Sequence, residues 1–118
     1  MTTPEPDQDS APRAPFTLVI VGGHYDIGRT FRLDEGSYVI GRTEGADIRL
    51  DTPTVGRRHA RITVERGRVS IEDLSSPCGL TMNDMRINAA ELSPGACVWV
   101  GRVLLKLVRA EAPAAQTS

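Results

Sequence analysis

Five arginines, Arg42, Arg49, Arg57, Arg58 and Arg61, stand close together against only three carboxylates, Glu44, Asp47 and Asp51. Such a local excess draws a small anion, because each guanidinium offers a planar fork of donors with a permanent charge. The chain as a whole does not share the excess. Fourteen basic residues face 15 acidic ones for a net charge of −1, so a long polyanion meets no extended field. Two Phe, two Tyr and one Trp also give few platforms on which bases could stack, which argues against a nucleic-acid partner. The chemistry is concentrated in three stretches. Tyr38-Val39-Ile40-Gly41-Arg42 ends an apolar run in a glycine, which permits close backbone approach, followed at once by an arginine. Gly56-Arg57-Arg58-His59 lies just ahead of a strongly alternating segment, and Asp73 to Asn83 passes through Ser75, Ser76, Pro77, Cys78 and Gly79.

Other chemistries are suggested by residue type but not by spacing. Ser75 or Ser76 with His59 and Asp73 supplies a nucleophile, a base and an acid. No nucleophile-elbow sequence accompanies them, so Asp73 reads as a strand-end residue fixing the next loop, and no enzyme activity is expected. Gly23-His24-Tyr25-Asp26-Ile27-Gly28-Arg29-Thr30 imitates a phosphate-binding P-loop with arginine in place of lysine. A P-loop must open a helix, whereas Phe31-Arg32-Leu33 alternates like a strand. Cys78 and Cys97 allow at most one bridge, and neither pairs with His24 or His59 at a zinc-like spacing. Both read as free thiols, with no metal and no cofactor implied.

The elements that must position these loops are strands. Ala60, Ile62 and Val64 alternate with Arg61, Thr63 and Glu65, then Val69 and Ile71 alternate with Ser70 and Glu72, with Arg66-Gly67 between as a hairpin turn. Further short β-rich runs cover 16–21, 30–33, 38–40, 47–50, 97–100 and 103–108, separated by glycine-containing turns. Residues 88–92 are the one place where a helical turn is expected. Many short strands in a chain of 118 residues indicate one all-β domain, a sandwich or barrel. Residues 1–14, rich in Pro and acid, and 110–118, rich in Ala, Pro, Ser and Thr, read as tails around a folded unit of 15–109. No run reaches the ~18–20 apolar residues of a membrane span, and the N-terminus lacks the basic-then-apolar order of a signal peptide. A cytoplasmic protein with no membrane partner is expected.

In order and spacing the three stretches resemble the forkhead-associated (FHA) domain, from about Phe16 to Val108. That resemblance implies an antiparallel β-sandwich of about eleven short strands, of the FHA/SMAD-like type, that recognises phosphothreonine in a partner protein. It places the Arg42 guanidinium on the phosphate, after Gly41; a salt bridge to Glu44 or Asp47 is the structural alternative. It makes His59 a brace of the loop rather than a contact. The family's serine position is Gly56, which lacks the hydroxyl, and Arg57 falls where a side chain can reach the phosphate in compensation. Arg58 and Arg61 read as solvated charges. The family's Ser-Thr-Asn-Gly is here Ser76-Pro77-Cys78-Gly79, with Gly79 and Asn83 keeping the loop's shape. Losing two hydrogen bonds of ~1.5–3 kcal/mol each weakens binding by roughly 10²–10⁴-fold unless other groups replace them. Two partner classes therefore follow: a phosphothreonine segment, whether of a kinase substrate or of the chain's own N-terminal tail with Thr2 and Thr3, or an unmodified protein bound without phosphate.

Overall fold

Where apolar and polar residues alternate, an extended chain can face a core on one side and water on the other, and pairing then satisfies its backbone groups. The computed structural model describes residues 16–76 and 78–109. The expected tails, together with Pro15 and Pro77, lie outside the described residues. Eleven strands form: β1 Phe16–Gly22, β2 Thr30–Leu33, β3 Gly36–Gly41, β4 Ile48–Arg49, β5 Ala60–Glu65, β6 Arg68–Asp73, β7 Leu80–Met82, β8 Met85–Ile87, β9 Ala89–Leu92, β10 Cys97–Val100 and β11 Val103–Arg109. They assemble as a six-stranded sheet, β2-β1-β11-β10-β7-β8, over a five-stranded one, β4-β3-β5-β6-β9. This is the sandwich that the resemblance implies. Among the described residues no helix forms, so none is long and apolar enough to cross a membrane.

The core is built by the inward face of each strand. Phe16, Leu18 and Ile20 of β1 and Leu105 of β11 join Ile62 and Ile71 of the other sheet in one buried cluster, each at most 2% exposed. Each such side chain contributes about 1.5–3 kcal/mol by leaving water. Between β5 and β6 the turn falls on Arg66 and Gly67, both left-handed at φ 54° and 78°, the two-residue geometry that matches strand twist. A methyl group on Gly67 would meet nothing within 4 Å, so Gly67→Ala tests the backbone alone. It is expected to cost about 1 kcal/mol and lower Tm by roughly 4–8 °C. Thermal unfolding followed by circular dichroism checks this, and an unchanged Tm would mean that another turn geometry is as good.

Three departures from the sequence reading have physical causes. Residues 89–92 form strand rather than a helical turn. Ala-Ala-Glu-Leu favours helix locally, but Leu92 opposite Val69 and Ala90 opposite Ile71 satisfy the outer edge of β6 and bury Leu92. The run 47–50 shortens to β4, which pairs with β3 in parallel, the one pair that departs from the antiparallel expectation. The Asp47 carboxylate takes the Val39 N–H at 2.8 Å and so fixes the chain as it doubles back. Strands β7 and β8 were not expected at all. They are three residues each, joined at Asn83 and Asp84, which carry φ 52° and 64°.

Candidate functional site

Strand register decides which loops meet. Ile40 lies opposite Ala60 and Ala60 opposite Asp73, so the chain leaving β3, entering β5 and leaving β6 does so at one end of the sheet. In the facing sheet Val100 pairs with both Leu80 and Val103, which sets the start of β7 beside the β10–β11 turn. Backbone hydrogen bonds then tie the loops together. The Arg42 N–H donates to the Gly56 carbonyl at 3.0 Å, Leu50 N–H to Gly41 at 2.8 Å and Leu74 N–H to His59 at 2.9 Å. Gly41 is required by this closeness, since a Cβ there would run into the Arg57 carbonyl.

His59 holds two loops at once. It is fully buried, and its Nδ1 accepts the Gly56 N–H at 2.9 Å. The ring proton therefore sits on Nε2, which donates to the Gly79 carbonyl at 2.8 Å. With both nitrogens engaged by backbone, His59 cannot act as a base toward Ser76. Ser76 is itself buried, its hydroxyl donating to Asp73 Oδ1 at 2.5 Å and accepting the Gly79 N–H at 2.8 Å. Asp73 thus fixes the loop after β6, and Gly79, with φ 69°, supplies the left-handed residue that the return into β7 needs.

This frame sorts the expected contact residues. Arg42 is half-buried and Arg57 exposed, and neither pairs with a carboxylate among the described residues. The three ion pairs there are Arg29–Asp26, Arg49–Asp51 and Arg61–Glu72. The alternative in which Arg42 binds Glu44 or Asp47 is not realised: neither carboxylate pairs with it among the described residues, and Asp47 takes the Val39 N–H instead. Arg58 lines a separate hollow of about 220 Å³ with Val39, Thr43, Gly45 and Ala46. Gly56, at the family's serine position, gives its N–H to His59. Ser76 likewise directs its hydroxyl inward. Cys78 is exposed beside Gly79, Pro77 lies outside the described residues, and Asn83 belongs to the β7–β8 turn. Of the residues that resemble a P-loop, 23–29 form the β1–β2 connection and Thr30 opens strand β2, in line with the alternation of Phe31-Arg32-Leu33.

Two further groups complete this end of the molecule. Thr54 Oγ1 accepts the Arg102 N–H at 3.0 Å, which docks the β10–β11 turn on the loop before Gly56. The Arg86 guanidinium lies against Gly79, where a Cβ would collide with it. A hollow of about 550 Å³ on the outer face of β5, β6 and β9 carries Glu65 and Glu91 as well as Arg66 and Arg68, so it has no preference for an anion. At the loop end Arg42 and Arg57 stand without carboxylate partners among the described residues.

Residues 19–111 match the family model described as the inner membrane component of T3SS, cytoplasmic domain. The chain is 36% identical over 74 residues to the FHA domain-containing protein FhaA of Mycobacterium tuberculosis, covering 63% of this chain and 14% of FhaA. It is 34% identical over 88 residues to the glycogen accumulation regulator GarA of Mycolicibacterium smegmatis, covering 75% of this chain and 56% of GarA. It therefore spans only part of either relative. A solved structure, described as a structural and functional analysis of phosphothreonine-dependent FHA domain interactions, superposes with a TM-score of 0.73 at 31% identity, covering 82% of this chain and 98% of that one.

Proposed function

The chain belongs to the forkhead-associated family, and from that premise we propose that it is a non-catalytic module recognising a phosphothreonine-containing segment of a partner protein through Arg42 and Arg57. One observation carries the reading. Arg42 and Arg57 border the same backbone junction, where Arg42 N–H meets the Gly56 carbonyl and Gly41 packs on the Arg57 carbonyl. Both guanidinium groups are without carboxylate partners among the described residues, so a phosphate there gains charge-assisted hydrogen bonds and displaces no internal ion pair. His59 and Ser76 act as braces that hold the junction still before a ligand arrives, which reduces the ordering cost of binding. The structure described for phosphothreonine-dependent interactions and the regulator GarA support a recognition role without chemistry of its own. The cytoplasm is the compartment we assign, in keeping with the matching family model's description as a cytoplasmic domain.

A second reading, binding of an unmodified partner, is favoured by a separate observation. The Gly56 N–H and the Ser76 hydroxyl are both engaged internally, which leaves fewer donors for phosphate. Calorimetric titration with a phosphothreonine peptide library and its unphosphorylated twin separates the two. Phosphate-dependent binding that Arg42→Ala weakens by roughly tenfold to a hundredfold is expected, the effect of losing one hydrogen-bonded charge. Equal binding of both libraries would assign the domain to phosphate-independent partners.

A further inference from the structure

The outer faces of the two sheets differ in charge and polarity. On the five-stranded sheet Arg61 pairs with Glu72 at 3.3 Å and Glu65 lies opposite Arg68, so that face is polar and balanced. The strands of the six-stranded sheet hold Arg32, Arg86, Lys106 and Arg109 and no Asp or Glu. Their outward positions are also largely apolar. Val19, Cys97, Trp99, Leu104 and Val108 alternate with core residues along β1, β10 and β11, and the register sets Trp99 beside Leu104, which lies over Gly22. Trp99, 37% exposed, is the single tryptophan of the chain.

The indole stands between two hollows. One, of about 510 Å³, is lined by Met82, Ala96, Cys97 and Leu104; the other, of about 430 Å³, by Gly23, His24, Gly101 and Arg102. Gly23, at φ 98°, packs on the Arg102 carbonyl where a Cβ would collide, so the second hollow has a fixed floor. Lys106, opposite Cys97, and Arg102 flank the pair, and neither forms an ion pair among the described residues. Asp84, in the β7–β8 turn, is the one carboxylate among the described residues that lines either hollow. We propose that this face is a second docking surface, for an unphosphorylated partner segment that places one apolar side chain on each side of Trp99 and carries Asp or Glu toward Lys106 and Arg102. Charge selects that occupant. A second copy of the chain paired face to face would set Arg32, Arg86 and Lys106 against the same residues, a like-charge contact that disfavours it. A partly exposed tryptophan with a cationic rim is also the kind of anchor on which binding energy concentrates. The surface is independent of the phosphothreonine reading, since it lies on the strands and not on the loops joined by Arg42, Gly56 and His59.

The probe is a displayed library of random unphosphorylated dodecapeptides, selected on the full chain and then titrated singly against the native chain, W99A and K106E. Selected sequences are expected to carry two large apolar residues with Asp or Glu beside them, and to shift the emission of Trp99 to shorter wavelength on binding. By calorimetry, W99A should weaken binding by about tenfold or more, as for a central aromatic anchor. K106E should weaken it by about three- to tenfold, an effect that shrinks at higher salt. Thermal unfolding checks that both variants fold, and K106E, at a solvent-facing position, carries the comparison should W99A unfold. No enrichment, selected sequences without acidic residues, or binding that either folded variant leaves intact overturns the inference. So does a Trp99 shift on phosphatidylglycerol vesicles but on no peptide, which gives the face to a membrane, or a dimer in sedimentation that W99A dissociates, which gives it to a second copy of the chain.

Discussion

His59→Ala is expected to destabilise the domain by about 3–5 kcal/mol, and with it to dissolve the binding loops. The cause is the double role of the imidazole. Truncation strands the Gly56 N–H and the Gly79 carbonyl, bonded at 2.9 and 2.8 Å, and leaves a void at a fully buried position. An orphaned buried polar group costs about 1–3 kcal/mol, and the cavity adds to that. Against a total stability of roughly 5–15 kcal/mol this is a large share, worth a fall of about 15 °C or more in Tm. His59→Phe separates the two causes, since it fills the space but restores neither hydrogen bond. It should recover only the packing part, and Gly56 should still lose its protection in amide exchange. A loss below about 1 kcal/mol in His59→Ala would mean that water or a neighbouring group replaces the ring, and the loops would then need another explanation for their geometry.

The legibility of the fold followed burial. Strands β5 and β6 were plain in the sequence because both faces of each are distinct, one in the core and one in solvent, so the two-residue period is unbroken. Strand β9 was hidden because its residues are good helix formers, and only pairing with β6, a contact distant in sequence, makes them strand. Strands β7 and β8 are too short for any period, although Asn83-Asp84 between Met82 and Met85 was the available turn signal. The site divides in the same way. Gly41 was legible from a local demand, a close approach at a strand end, and the brace at His59 was implied by the family resemblance; the structure shows the contacts of both. The engagement of the Gly56 N–H and the Ser76 hydroxyl was not legible, because it depends on where His59 and Asp73 point. Arg86 was missed because its proximity to Gly79 arises from a hairpin that itself was not foreseen.

The substitutions in the loops lead to an expected gain of function. Gly56→Ser, Pro77→Thr and Cys78→Asn together return the hydroxyl and amide groups that the family's usual loop sequence carries. The Gly56 N–H already bonds to His59, so a serine there adds its hydroxyl to the site without disturbing the brace. Cys78 is exposed, so an asparagine side chain can be directed at a peptide without displacing the core. Two recovered hydrogen bonds to charged or backbone groups, at ~1.5–3 kcal/mol each, would tighten phosphothreonine binding by roughly 10²-fold or more if nothing stood in for them; with Arg57 already on the phosphate the expected gain is about tenfold, the unphosphorylated peptide being unchanged. The size of the gain reports on Arg57. If Arg57 now supplies the missing donor, the triple variant improves binding by only about tenfold, and adding Arg57→Ala costs far less in the triple variant than in the native chain. Non-additivity of that kind is the signature of two groups serving one phosphate. A full gain with no dependence on Arg57 would show instead that the native loops leave the phosphate site underfilled, and that the native chain relies on contacts outside it.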